Sequence, residues 1–581
     1  MSESVRIERG VMVELRDGVR LATDVYLPEG PGPFPTLVDR VRGGRSSAFI
    51  VGVLLLNPLD AVERGYAVVV QEVRGRAGSE AAWHPFVHEL EDGEDCLDWV
   101  LAQPWCDGRV GTYGTAYSAS TALYLAALGR EEVKACAVLG TGADIHDGWV
   151  YTSGAFELGW NVYWAYMTAS ESIRRLDVDD ATRAELRREY ARAIIDAPAV
   201  AARLPISDHP LLDSVGETQY REWLEHPDYD DYWASFDLLA RAETIRAPML
   251  SIVGWHDNFL GSHFDLYRAL AGRAPHRLVV GPWEHTSYVS PFSTSRCGAV
   301  EFGPAAACGV AFSTPLVLDW FDRWLRGGES GAAGGVRYWQ LGADEWRESE
   351  AWPPPSVAER WFLGSGGSAN SRHGDGVLGT LPAPGEEPPD SYLYDPLDPV
   401  PTVGGKTLMP SIMTAGIEDQ SAVEDRQDVL CYTSPELTTP VVVHGPVEVE
   451  LWAASSAVDT DFTAKLVDVA PDGRAFNLAD GIVRARYRDS TRQRSAPLEP
   501  GVPTEFRIDL WDLAHTFLPG HRIRLEISSS NFPRFDRNTN TGNELGRDGA
   551  GDAVTASQQV FHDAGRASAL VLPVATEHGP A

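Results

Sequence analysis

Lysine is almost missing from this chain: Lys134, Lys406 and Lys465 are the only three in 581 residues. The other basic residues are arginines, and Lys plus Arg number 49 against 83 Asp plus Glu, a formal net charge of −34. Phosphate binding needs a basic face, so neither nucleic acid nor an anionic membrane surface is expected as a partner. The lysine deficit itself reads as composition bias. Cysteine is equally sparse. Cys96, Cys106, Cys136, Cys297, Cys308 and Cys431 are scattered without a CxxC pair, which excludes a disulfide framework and a zinc site and makes them reduced core residues. No run approaches the ~18 apolar residues of a membrane span. The first residues, Met-Ser-Glu-Ser-Val-Arg-Ile-Glu, hold no basic stretch before an apolar core. The expectation is a cytoplasmic protein without a secretory signal.

What is present is a large apolar inventory, 44% hydrophobic with 18 Trp, in a chain too long for one domain. Residues 5–28 alternate on either side of Asp17-Gly18, a hairpin signal. Pro35–Asp39 and Tyr66–Gln71 are short apolar runs suited to buried strands of a mostly parallel sheet. Glu89, Glu91, Asp92, Glu94 and Asp95 lead into Leu97, Val100 and Leu101, predicting a helix whose acidic first turn complements its dipole. Arg109–Gly114 reads as a strand and Ser118–Leu128 as a helix. Residues 155–240 then carry dense helix formers, Trp, Tyr and Arg with no clear strand, the pattern of a helical cap. Within it Phe156, Trp160, Tyr163 and Trp164 are candidates either to line a pocket or to pack helix on helix. Alternation resumes with strands at Met249–Gly254 and Arg277–Gly281. A helix follows, with Thr314 as its N-cap and Pro315 in its first position. Past about residue 345 helical periodicity stops, and short alternating runs with turns at Asp472-Gly473, Asp480-Gly481 and Pro519-Gly520 predict a β-sandwich.

One segment carries a chemical signature with its key atom missing. Arg109-Val-Gly-Thr-Tyr-Gly-Thr-Ala-Tyr-Ser-Ala119 has the strand–turn–helix frame of a nucleophile elbow, Gly-x-Ser-x-Gly, with Gly114 in first place. Its third position is Ala116, and a methyl group cannot attack a carbonyl. The order Ala116, Asp257, His285 follows the nucleophile–acid–base order of α/β-hydrolases. Asp257 and His285 each sit just past the carboxyl end of a predicted strand, where open α/β sheets build their sites. Taken singly, Asp257 reads as a helix cap and His285 as a hydrogen-bonded core residue; their order and placement join them. His285 would shuttle the proton, Asp257 would hold its tautomer, and the Tyr117 backbone N–H would be one oxyanion donor. Thr115 and Ser118 flank the position, but an elbow exposes only its central residue, so neither is expected to replace the missing hydroxyl.

On these residues the chain resembles the cocaine esterase, α-amino-acid ester hydrolase and X-prolyl dipeptidyl peptidase family of serine hydrolases. The likeness spans nearly the whole sequence. It includes Val73-Arg-Gly-Arg-Ala-Gly-Ser-Glu80, Trp99 to Gly111, Gly254-Trp-His-Asp257, Gly281-Pro-Trp-Glu-His285 and Trp320-Phe-Asp-Arg-Trp-Leu325. It continues through Tyr394-Asp-Pro, Asp459-Thr-Asp-Phe462, Pro519-Gly-His521 and Asn538-Thr-Asn-Thr-Gly542. The resemblance implies an α/β-hydrolase core (1–145 and 246–345), an inserted helical cap (146–245) and a C-terminal jelly-roll β-sandwich (346–581). It implies cleavage of small-molecule esters or amides through an acyl-enzyme, with no metal or organic cofactor. Homo-oligomer formation is left open.

Two departures stand out. The first is Ala116. The second follows the strand 35–40, where family members usually read Arg-x-Pro-Tyr-Gly and the Tyr hydroxyl supplies the second oxyanion donor. This chain reads Arg40-Val-Arg-Gly-Gly44, with Gly43 in the Tyr position. Gly43 is either a backbone donor approaching the oxyanion, as in Gly-rich lipase loops, or a loop residue needing positive φ. Arg42 and Arg45 would add positive potential. With Ala116 the expectation is a chain that is inactive or holds its substrate uncleaved. The alternatives are a diverged member using His285 and Asp257 for acid/base chemistry or for binding alone, or an acyltransferase.

Overall fold

Apolar runs bounded by turns become the strands of one large sheet. The computed structural model describes residues 5–44, 55–216, 219–289, 294–410 and 412–576. Its first sheet has ten strands: Arg6–Glu14 (β1), Arg20–Leu27 (β2), Phe34–Val41 (β3), Ala67–Glu72 (β4), Cys106–Thr115 (β5), Val133–Leu139 (β6), Met249–His256 (β7), His276–Glu284 (β8), Gly335–Gln340 (β9) and Glu345–Ser349 (β10). The spatial order is β1-β2-β4-β3-β5-β6-β7-β8-β9-β10. β3 through β9 are parallel to one another, while β1, β2 and β10 pair antiparallel at the two edges. Strands buried on both faces read as continuous apolar runs, and all six residues of β4 are buried.

Helices cover both faces. Glu89–Leu101 (α1) and Tyr117–Ala127 (α2) pack Cys96, Leu97, Val100 and Leu125 on Val38, Val69 and Val110. The opposite face carries a later helix, Val310–Arg326, through Val317, Trp320 and Phe321. That helix corrects the sequence reading. It begins after Gly309, one turn before Thr314, and Pro315 lies inside it. Tertiary packing outweighs the capping signal. The extra turn lets Phe312 pack on Trp283 and Trp346 and lets the Ser313 hydroxyl donate to Leu55 O, whereas the Thr314 hydroxyl is buried with no partner.

Between β6 and β7 lie Leu158–Ser172 (α3), Asp180–Ile195 (α4) and four shorter α-helices, preceded by a two-residue strand pair, 151–152 with 155–156, that the sequence reading lacked. Phe156, Trp160 and Trp164 are buried in one cluster with core residues, and Tyr163 is half-buried beside it. From Ser356 to Ala575 the regular elements are strands, eleven of them in one connected sheet system, broken only by a short 3-10 turn. Their core, with Val449, Phe462, Phe506 and Leu525, runs on into Trp255 and Phe264 of the first sheet's layer, where Trp352 lies 5.4 Å from Trp255. Among the described residues no helix is long and apolar enough to cross a membrane.

A buried clamp closes the loop around 364–390. His562 presents Nδ1 to Glu387 at 2.8 Å and Nε2 to Asp390 at 3.0 Å, while Ser365 and Tyr432 donate to the Asp390 carboxylate. Burial lowers the basicity of His562, but the bonds and charges of Asp390 and Glu387 reverse this and raise its pKa. Burial raises Asp390, but bonds from His562, Ala369 N–H, Tyr432 and Ser365 bring it below its ordinary 3.8. The clamp therefore stabilises most between about pH 4 and 6.5. It fades as pH falls through the depressed Asp390 pKa, and as pH rises through the elevated His562 pKa. We expect His562→Gln to flatten the alkaline limb of a thermal-stability profile; an unchanged limb would show that the imidazolium contributes nothing there.

Candidate active site

Sheet register brings the sequence-distant candidates to one edge. Thr115 pairs with Leu139, Leu139 with Ile252, and Ile252 with Val279 across β5, β6, β7 and β8. Ala116, Asp257 and His285 all lie just beyond this row, at the carboxyl ends of their strands. His285 follows a register shift at the end of β8 and opens a short helix, His285–Val289, whose first turn is tied down by the Glu284 carboxylate accepting Thr286 N–H at 2.6 Å.

Asp257 and His285 meet. Asp257 Oδ2 lies 3.0 Å from His285 Nδ1, and Oδ1 accepts Phe259 N–H at 2.8 Å. Asp257 is 0% and His285 6% exposed. A carboxylate on Nδ1 favours the tautomer with the proton there. Phe259 packs edge-on against the imidazole at 5.2 Å and stacks on Trp149 at 4.3 Å. Phe86 then bridges Trp149 and Tyr117, at 5.1 and 5.0 Å. A continuous aromatic wall thus connects His285 to the residue after Ala116. Phe86, Trp149 and Phe259 were missed in the sequence reading; only the adjacency of Phe259 to Asp257 offered a signal.

The turn at Ala116 has a strained geometry. Ala116 has φ 52° and ψ −118°, a conformation L-residues rarely adopt. Its N–H donates to Leu139 O at 2.9 Å, and its carbonyl accepts from Ala119 and Ser120. Tyr117 is the first residue of α2, so its N–H has no intrahelical acceptor and is placed as an oxyanion donor would be. The Tyr117 hydroxyl is buried, accepting from Phe86 N–H and donating to Glu89 Oε1 at 2.8 Å. Glu89 in turn pairs with Arg40 at 2.9 Å, both fully buried. The sequence reading had Glu89 and Asp92 as partners of the helix dipole. Both do lie in the first turn of α1, and being buried they are also ion-pair partners of arginines, Glu89 with Arg40 and Asp92 with Arg74 at 2.7 Å. The Thr115 hydroxyl is buried without a partner and Ser118 lies in the first turn of α2. Strain at residue 116 should be relievable. Ala116→Gly is expected to add about 0.5–1 kcal/mol, the relief exceeding the extra unfolded-state entropy; a loss of stability in urea titration would contradict it.

Gly43 sits in the bend after β3 and is half-buried. β3 neighbours β5 with Val38 opposite Thr112, so residues 42–43 and Ala116 end adjacent strands. Neither Gly43 nor Gly44 adopts positive φ, which removes the conformational explanation for them. A Cβ on Gly44 would meet nothing nearer than Glu72 Oε1 at 3.8 Å. Arg42 is held by Glu171, both carboxylate oxygens at 2.9 Å; Arg45 lies outside the described residues.

A mostly parallel sheet, a tight strand–helix turn at one strand end and a bonded Asp–His pair at two others define an α/β-type hydrolase fold. Residues 17–287 match the family model described as X-Pro dipeptidyl-peptidase (S15 family), and residues 331–571 match that of the X-Pro dipeptidyl-peptidase C-terminal non-catalytic domain. The chain belongs to this family of ester and peptide hydrolases. It is 40% identical over 578 residues to a cocaine esterase of Rhodococcus sp. (strain MB1 Bresler), covering 98% of each chain. Among solved structures it is similar to an aminopeptidase from a marine sediment archaeon, Thaumarchaeota archaeon, with TM-score 0.82, 25% identity and coverage of 99% of this chain and 97% of that one. It is also similar to an α-amino-acid ester hydrolase, with TM-score 0.79, 25% identity and the same coverage.

Proposed function

We propose that this chain is an ester- or amide-hydrolase scaffold whose acyl-enzyme step is blocked at one atom. Its units would be a core of 1–145 and 246–345, a cap of 146–245 and a β-sandwich of 346–581. Ala116 occupies the nucleophile position, Asp257 and His285 are the acid–base pair, and Tyr117 N–H with Gly43 N–H form the oxyanion site. The observation that carries this reading is the buried 3.0 Å Asp257–His285 pair at the sheet edge that also holds a strained elbow lacking its hydroxyl. Without a nucleophile, a small-molecule ester or amide would bind and remain intact. The test is Ala116→Ser, assayed on p-nitrophenyl esters and aminoacyl p-nitroanilides; a folded variant with no gain in turnover overturns it.

A second reading is favoured by Gly43, which makes two departures where a simple loss of the nucleophile needs one. In it, the chain is a diverged member in which His285 and Asp257 move protons without an acyl-enzyme, or in which the site binds only. An acyl transfer reaction at the same site would need the same nucleophile. Unchanged turnover of an identified substrate in His285→Ala would remove the acid–base version.

A further inference from the structure

Beside the glycine bend lies a cleft with an unusual charge balance for so acidic a chain. A cavity of ≈ 270 Å³ is lined by Arg42, Gly43, Gly44, Glu171, Arg174 and Arg187. Arg42 comes from the end of β3, Glu171 from α3, Arg174 from the turn after it and Arg187 from α4, so the cavity lies between the sheet edge and the helical region. Glu171 is engaged by Arg42 at 2.9 Å and approached by buried Arg76 at 3.7 Å. Glu72 lies behind Gly44. Among the described residues, no hydrogen bond or ion pair engages Arg174 or Arg187. In a chain with 83 carboxylates and 49 cations, two guanidinium groups facing one cleft without an acidic partner leave it locally positive.

We propose that this cleft is a subsite for an anionic group, a carboxylate on the substrate itself. The proposal rests on the hydrolase reading, because Gly43 lines this cleft and ends the strand beside Ala116. The Glu171–Arg42 pair fixes one guanidinium and uses up its charge. Arg174 and Arg187 remain to take the two carboxylate oxygens, as planar forks matched to that geometry. Glu171 lines the same cleft and Glu72 is buried behind Gly44, and their charges would repel a second anion, which favours a monoanion over a dianion.

Ala116 makes the test direct, because the protein as it exists should bind esters without consuming them. Titration calorimetry would compare monomethyl terephthalate with methyl 4-carbamoylbenzoate, its neutral near-isostere. We expect the carboxylate to bind about tenfold tighter at low salt, a preference shrinking toward 0.5 M salt, where charge attraction is screened. Arg174→Ala/Arg187→Ala should remove the preference and leave binding of the amide unchanged. Both side chains are exposed and unpaired, so the melting temperature should hold. Equal binding of the two probes, a preference that survives the double substitution, or no measurable carboxylate binding overturns the subsite. Hydrolysis of neutral esters by Ala116→Ser without any carboxylate preference sinks the subsite alone. A carboxylate preference in a chain that Ala116→Ser leaves inert sinks the hydrolytic reading alone.

Discussion

Ala116→Ser is expected to accelerate p-nitrophenyl ester hydrolysis by about 10³- to 10⁶-fold over the chain as it stands, some 4–8 kcal/mol of barrier. The range follows from what is already assembled. His285 is buried, bonded to Asp257 at 3.0 Å and walled by Phe259. The turn at 116 already holds the φ of 52° that a nucleophile elbow requires. A new hydroxyl therefore needs no new backbone conformation. Loss of a nucleophile from a working triad costs about 10⁶, and a missing oxyanion donor about 10²–10³. If Gly43 N–H serves as the second donor the gain falls at the top of the range; otherwise it falls at the bottom. Adding His285→Ala to the same variant should return the rate to within about tenfold of the Ala chain. A rise below tenfold in a variant with unchanged melting temperature would sink the reading, since every other component would then be shown inert.

Gly114→Ala is expected to cost about 3 kcal/mol or more, and to abolish the gain from Ala116→Ser when combined with it. A Cβ at 114 would lie 2.2 Å from Ser118 O, 2.3 Å from Ser118 C and 2.7 Å from Ala119 N. These are backbone atoms of the first turn of α2, not the ends of flexible side chains. The turn has little room to retreat. Its start is pinned by Ala116 N–H on Leu139 O, and Tyr117 is pinned by Glu89, itself locked to Arg40. Urea denaturation measures the effect, and a midpoint close to that of the parent would mean that the elbow is looser than these distances require.

Much of this site is legible in sequence because its signals are local. Gly114 and Ala116 declare an elbow within a few residues of each other, and Asp257 and His285 each follow their strand directly. The start of the helix containing Trp320 was misread for the same locality. Thr314-Pro315 is a good capping pair, and nothing nearby shows that Phe312 has Trp283 and Trp346 to pack on. Glu89 likewise looks like one of five acidic residues on a helix start. Its inward direction depends on Arg40 and Tyr117, which approach from other strands and helices.

The sequence by itself determined what this protein lacks. The chemistry of a methyl group at 116, the scarcity of lysine and the glycine at 43 are side-chain identities that no fold can alter. Only the tertiary structure decided what stands around the gap: the contact between Asp257 and His285, the Phe259–Trp149–Phe86 wall, and the arginines left without carboxylates beside Gly43. Those contacts join residues from distant parts of the chain. Sheet register and core packing bring them together, and neither is written in any one segment.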